Sequence, residues 1–209
     1  MKLYDAEWAP SPRRVRIFLA EKGVEVDSHK LDLRSGEHFS PDFLRRNPCA
    51  TVPCLELDDG TVIHEAASIC LYLEQIHPEP PLLGVDARDK AVVDMWNRRI
   101  EQEGLHAVME AFRNAHPAFE NRALTGPHNY AQIPELAERG RERAGHFLAM
   151  LDERLGASTH VAGEAFTVAD ITTLVGLDFA AAVQVASFEG YSNIERWYAS
   201  VSARPSAGA

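Results

Sequence analysis

Three short stretches of the 209-residue sequence carry groups able to act together on one ligand. The first is Ser11, followed by Pro12, at the start of a helical pattern. A serine at a helix N-cap accepts a backbone hydrogen bond worth about 1 kcal/mol and still has its own proton to donate. A ligand sulfur beside it would feel that donor and the positive end of the helix. Both favour thiolate over thiol, with free thiols titrating near ~8.5 and such sites reaching roughly 3.5–7.5. The nucleophile would then belong to the ligand. The second stretch is Val52-Pro53, an X-Pro bond that opens a strand pattern soon after Asn47-Pro48. Proline has no N–H, so it belongs at a strand entrance or edge. In cis, the bond turns the Val52 backbone outward, where it can pair with a peptide-like ligand; in trans, it merely starts the strand. The third is His64-Glu65-Ala66-Ala67-Ser68, which puts an acid where strand gives way to helix. The free N–H groups of a helix start attract an anion, and the carboxylate attracts a cation. Together they suit the carboxylate and ammonium of an amino-acid headgroup, although Glu65 alone is also the acid that a helix macrodipole favours.

The elements that must hold these groups change character near residue 80. Lys2-Leu3-Tyr4 reads as a strand, and a helix follows in which Ser11 is the N-cap, Pro12 the first residue, Val15, Phe18 and Leu19 the apolar face, and Gly23 the stop. Val24 to Leu33 reads as extended, and Ser40-Pro41 opens a short helix to about Arg46. Asp58-Asp59-Gly60 between the apolar alternations 52–57 and 61–64 is a hairpin signal. Glu65 to about Gln75 is helical, with Ile69, Tyr72, Leu73 and Ile76 on one face, until Pro78 ends it. His77 to Gly84 holds three prolines in eight residues and reads as a linker. Beyond it the pattern is helical from Arg88 to about Glu120, with Val92, Trp96, Ile100, Gly104 and Val108 four residues apart, and again up to Gly156. Thr167 and Asp170 form a capping-box pattern, with Phe166 and Ile171 placed as a hydrophobic staple. The helix they open, to about Gln184, is almost wholly apolar and so belongs in the centre of its domain. The expected class is therefore α/β followed by all-α, with domains at 1–78 and 87–209 and a Pro-rich linker at 79–86.

Composition narrows the function classes. A 45% hydrophobic and 25% charged chain is ordinary globular material, and 21 basic against 31 acidic residues give a net charge of -10. Such a balance disfavours nucleic acid, which needs a concentrated basic patch. No apolar run resembles a signal peptide or a membrane span, so the cytoplasm is the expected location and no membrane is expected as a partner. Cys49, Cys54 and Cys70 form no CxxC pair, and the nine histidines form no metal-ligand pattern, so reduced thiols and no metal are expected.

The combined run of Ser11-Pro12-Arg13-Arg14-Val15-Arg16, Asn47-Pro48-Cys49-Ala50-Thr51-Val52-Pro53 and Glu65-Ala66-Ala67-Ser68-Ile69 resembles a cytosolic glutathione transferase of the bacterial and fungal Ser- or Asn-type. The resemblance extends through the Pro-rich linker, the Phe166 to Asp170 motif, and the closing Trp197-Tyr198 and Arg204-Pro205-Ser206. It implies a thioredoxin-like N-terminal domain that binds glutathione, an all-helical C-terminal domain, and a homodimer. It also implies that Ser11 stabilises the thiolate, that Val52 pairs with the cysteinyl part beside a cis Pro53, and that Glu65 and the Ala66 backbone hold the γ-glutamyl end. Thr51 and His38 fall where family members contact the glycyl end. Four positions depart from the family pattern. Ala66 stands where many members have Ser, Ala50 where Gly is usual, and Ala9 and Pro10 where several classes place the catalytic hydroxyl.

A second pocket, for a small electrophile, would draw on Trp8, Met95, Arg99, Glu103 and His106. The plain alternative makes Val92 and Trp96 the buried stripe and leaves the charged residues facing water. The reaction implied is conjugation of the glutathione thiolate to an electrophilic carbon. Reduction of peroxides or disulfides, with Cys49 as a redox thiol, and a non-catalytic binding role are the alternatives.

Overall fold

The computed structural model describes residues 1–209, which fall into two compact units. The first comprises Met1–Pro80 together with Leu124–His128 and Ala209; the second comprises Pro81–Ala123 and Asn129–Gly208.

The first unit is built on a mixed four-stranded sheet. Its strands are β1 (Lys2–Asp5), β2 (Asp27–Lys30), β3 (Cys54–Glu56) and β4 (Val62–His64), in the order β2-β1-β3-β4. Helix α1 (Pro10–Lys22) makes the crossover between parallel β1 and β2, and β3 runs antiparallel to both β1 and β4. Alternation along β1 decides what each face buries. Tyr4 packs with Leu31, Phe43 and Cys54 on one face, with Phe43 supplied by α2 (Pro41–Arg46). The helices α1 and α3 (Ala66–Ile76) pack against one another and bury Val15, Ile17, Phe18, Ile69 and Leu73. A fully buried ion pair, Lys22 to Glu74 at 2.6 Å, ties their far ends together. The extended stretch expected over Val24 to Leu33 shrinks to the four residues of β2, all exposed, so no alternating burial sustains a longer strand there.

Pairing register fixes which loops share an end of the sheet. Tyr4 lies opposite Cys54, and Cys54 opposite His64. The chain leaving β1 toward α1, the chain entering β3 at Val52-Pro53, and the chain leaving β4 at Glu65 therefore emerge at one end of the sheet.

The second unit is helical: α4 (Ala87–Arg99), α5 (His106–Ala115), α6 (Pro134–Gly156), α7 (Val168–Ala182) and α8 (Ser192–Ser202). The continuous helix expected from Arg88 to Glu120 is interrupted by a π-helical turn at Ile100–Leu105 and ends at Ala115. Two residues of α6 hold that wide turn. The Arg143 guanidinium donates to the Gln102 carbonyl at 2.7 Å, and the Phe147 ring lies so close to Gly104 that a Cβ there would stand 2.7 Å away. The turn also corrects the expected stripe. Val93, Asn97 and Ile100 are the buried residues, whereas Val92 and Trp96 are only half-buried, the guanidinium groups of Arg99 and Arg154 lying 5.0 and 4.9 Å from the Trp96 ring.

Helix α7 is buried along its first turns, as its apolar composition requires. Its entrance is a complete capping box. The Asp170 carboxylate accepts from the Thr167 N–H at 3.0 Å, while the Thr167 hydroxyl accepts from Ala169 N–H at 3.3 Å. Asp170 also accepts from Val161 N–H and from the Trp197 indole on α8, at 3.0 and 2.9 Å, so one carboxylate joins a loop and two helices.

Candidate active site

The entrance to α1 differs from the one the sequence suggests. Ala9, not Ser11, is the N-cap, and it offers no capping side chain; Pro10 occupies the first helical position and Ser11 the second. The helix starts earlier because Pro10 already has the φ that a first helical residue needs and no N–H to leave unpaired. The consequence is chemical. Pro10 and Pro12 carry no N–H, and Arg13 N–H is committed to the Ala9 carbonyl at 3.4 Å. Ser11 is left as the donor of the first turn, with both its N–H and its hydroxyl unpaired within the chain and its side chain half-buried. The alternation Pro-Ser-Pro was the signal for this in the sequence.

The Val52-Pro53 bond is cis. Val52 precedes β3, and neither its N–H nor its carbonyl is bonded elsewhere in the chain. The loop before it is held by the first residue of its motif, to which sequence reading assigns no role of its own. Asn47, fully buried, donates to the Thr51 carbonyl at 2.8 Å and hydroxyl at 3.2 Å and accepts from Cys49 N–H at 3.0 Å. A buried amide two residues from an exposed cysteine has no helical or strand periodicity, so its bracing role does not show in the sequence pattern. Ala50 has φ 52°, a left-handed conformation that glycine adopts more readily, which accounts for the glycine usual at this position.

Glu65 is the N-cap of α3 with φ 77° and ψ 121°, outside the conformations that L-residues favour, and its side chain is exposed and makes no capping bond. The helix N–H groups of its first turn are thus left for an outside acceptor. Ala66 begins the helix and is buried. The strand register therefore brings the chain at Val52, Pro53, Glu65 and Ala66, and the entrance of α1 with Ser11, to one end of the sheet, with Thr51 beside Val52. His38 stands apart from this pairing, on a 3-10 turn at Glu37–Phe39, with its ring 3.9 Å from that of Phe39.

Of the residues expected at a second pocket, Trp8 belongs to the first unit. It lies in the turn between β1 and α1, half its surface exposed, with the Arg34 guanidinium 5.9 Å from its ring. Met95, Arg99, Glu103 and His106 belong to the second unit, along α4, the π turn and α5. Met95, Glu103 and His106 are exposed, and Arg99 and Glu103 pair through two bonds of 3.1 Å. Burial pushes the Cys54 thiol up to about 11 and takes it out of chemistry, whereas Cys49 is exposed. No group of three or more His, Cys, Asp or Glu side chains is placed to hold a metal ion, and no helix is long and apolar enough to cross a membrane.

A thioredoxin-like sheet with a cis proline at the entrance of β3 and an unpaired backbone at Val52, followed by a helical unit, is the architecture of the glutathione S-transferases. The chain belongs to the glutathione S-transferase family: residues 8–76 match the model of its N-terminal domain and residues 100–205 that of its C-terminal domain. It is similar to Glutathione S-transferase 2 of Saccharomyces cerevisiae, 39% identical over 209 residues that cover 99% of this chain and 87% of the relative. Among solved structures it is similar to Gtt2 from Saccharomyces cerevisiae, at a TM-score of 0.91, 38% identity, and coverage of 100% of this chain and 99% of the other. A glutathione S-transferase domain-containing protein of Marinobacter aquaeolei VT8 gives 0.91 and 39%, covering 99% of each chain.

Proposed function

We propose that the protein conjugates the glutathione thiolate to small electrophilic compounds. The observation that carries this is the coincidence, at one end of the sheet, of three sets of unpaired polar groups matching the three parts of the tripeptide's recognisable chemistry. Glu65 and the first-turn N–H groups of α3 take the ammonium and carboxylate of the γ-glutamyl end. Val52 pairs with the cysteinyl backbone beside Pro53, and Thr51 and His38 border the glycyl end. Ser11 donates its hydroxyl and N–H to the sulfur, helped by the α1 terminus. Lowering the thiol pKa by one unit requires about 1.4 kcal/mol, within reach of one such bond to a charged acceptor. The proton leaves to solvent. The sulfur then attacks an electrophilic carbon, whose leaving group departs with its bonding electrons. Trp8, in the turn that leads into α1, borders the electrophile on the side of the first unit.

The protein acts, in this reading, as a cytoplasmic homodimer in detoxification; exposed Leu71 and Ile76 on α3 are apolar surface that a second copy would cover. Sedimentation tests the dimer. A second reaction, disulfide or peroxide reduction through the same bound thiolate, is favoured by one observation: Cys49 is an exposed thiol three residues before Val52. Purified protein assayed with an aryl halide, a hydroperoxide and a mixed disulfide separates the two. Turnover of the halide is the expected result; glutathione binding with no turnover of any of the three would leave a binding protein.

A further inference from the structure

We infer that Arg16 is a positioning residue that sets the thiol-binding turn, by bridging the buried Asp5 carboxylate and the Glu7 carbonyl. This rests on the reading of Ser11 as donor to the glutathione sulfur.

Only Ala6, Glu7, Trp8 and Ala9 join β1 to α1, and they must aim both Ser11 donors. The usual devices for locking a helix entrance are missing. Ala9 has no capping side chain, and prolines stand at the first and third helical positions. The backbone supplies one closure, Ala9 N–H to the Ala6 carbonyl at 3.1 Å. The rest comes from one turn further along α1. Arg16 Nη1 donates to Asp5 Oδ1 at 2.6 Å, and Arg16 Nη2 donates to the Glu7 carbonyl at 3.0 Å. Asp5 is the last residue of β1, 1% exposed, and its backbone carbonyl is also fixed, by Leu31 N–H at 2.8 Å. The guanidinium fork thus measures the distance from a rigid strand end to the middle of the turn.

Geometry and charge act in the same direction. A lysine ammonium is a point charge that cannot hold two acceptors in a planar fork, so the bridge requires arginine. The buried Asp5 carboxylate, left unpaired, would oppose a second negative charge on a nearby sulfur; paired with Arg16, it does not. Asp5 Oδ2 has no hydrogen-bond partner in the chain, so the bond from Arg16 to Oδ1 is the carboxylate's one neutralising contact.

The test is the ultraviolet thiolate absorbance of bound glutathione followed against pH, in the unmodified protein, in Arg16→Lys and in the neutral double variant Asp5→Asn/Arg16→Gln. Turnover and thermal melting are measured alongside. Arg16→Lys is expected to raise the apparent thiol pKa by about one unit and to lower kcat/KM near pH ~6.5 about tenfold. The glutathione KM should stay within about twofold, because Val52 and Glu65 lie outside the bridge. The double variant, which restores charge balance but not the fork, is expected to show the same upward shift. Folded variants that titrate the bound thiol as the unmodified protein does would overturn the inference alone. So would an Arg16→Lys protein that fails to fold while the double variant titrates normally, since that is a purely structural role. If glutathione bound to the unmodified protein titrates like free glutathione, the assignment of Ser11 fails, and this inference with it.

Discussion

Two kinds of helix entrance stand side by side in this molecule. At α7 every donor and acceptor is used: Thr167 and Asp170 cap each other, and Asp170 also holds Val161 and the Trp197 indole with no exposed surface. At α1 and α3 the caps are empty. Ala9 has no side chain to offer, Ser11 keeps two donors unpaired, and Glu65 sits at φ 77° with its carboxylate in solvent. Closed entrances contribute stability; open ones leave polar groups for a ligand at the expense of stability, which is how strain comes to mark functional sites. Substitutions at the two kinds should therefore separate stability from binding.

The largest effect belongs to the closed entrance. Asp170→Ala leaves four polar groups without their acceptor and should lower stability by about 4 kcal/mol, read as a fall in the urea midpoint. Whatever folded protein remains should show an unaltered pH profile of turnover; a shifted profile would erase the distinction. Next is Glu65. Replacing it by glycine should relieve about 1 kcal/mol of backbone strain while weakening glutathione binding about thirtyfold, opposite signs in melting and in titration calorimetry. If both move in the same direction, Glu65 is a structural acid. Ser11→Ala follows, with kcat/KM reduced about tenfold near pH ~6.5 and the acid limb of the profile moved up by about one unit, while stability changes by less than about 0.5 kcal/mol.

The smallest effect probes a closed feature inside the otherwise open unit. Tyr4 donates to Glu56 at 2.7 Å, and burial, followed by that bond, pushes its hydroxyl up to about 12. A raised folded pKa means that the stabilisation is full below the unfolded value near ~10 and disappears as pH rises through 12. Tyr4→Phe should cost about 1 kcal/mol at neutral pH and flatten that alkaline decline, with glutathione binding unchanged.

The same contrast explains what the sequence disclosed. The Asp58-Asp59-Gly60 hairpin, the short helix opened by Ser40, and the Thr167 box follow from local rules that burial then rewards, and the structure contains all three. Local rules fail where tertiary contacts decide. The π turn at Ile100–Leu105 depends on Arg143 and Phe147 about forty residues away, so a four-residue repeat through Gly104 reads as ordinary helix. At the site, Val52-Pro53 and Glu65 stood out because a proline and an acid at element boundaries are visible in one dimension. Ser11 reads as a cap in one dimension, but Pro10 starts the helix one position ahead of it. Asn47 and Arg16 lie within the motif runs, but their roles are not legible there, because their partners are loop carbonyls and a strand-end carboxylate, which no periodicity marks.

The most direct test of open entrances as the ligand site is a crystal structure of the protein with glutathione. The account predicts the sulfur within hydrogen-bond distance of the Ser11 hydroxyl or N–H, the cysteinyl backbone paired with Val52, and the γ-glutamyl end on Glu65 and the first turn of α3. Glutathione bound elsewhere, or bound at this end of the sheet with Val52 and the Ser11 donors still unpaired, would contradict it.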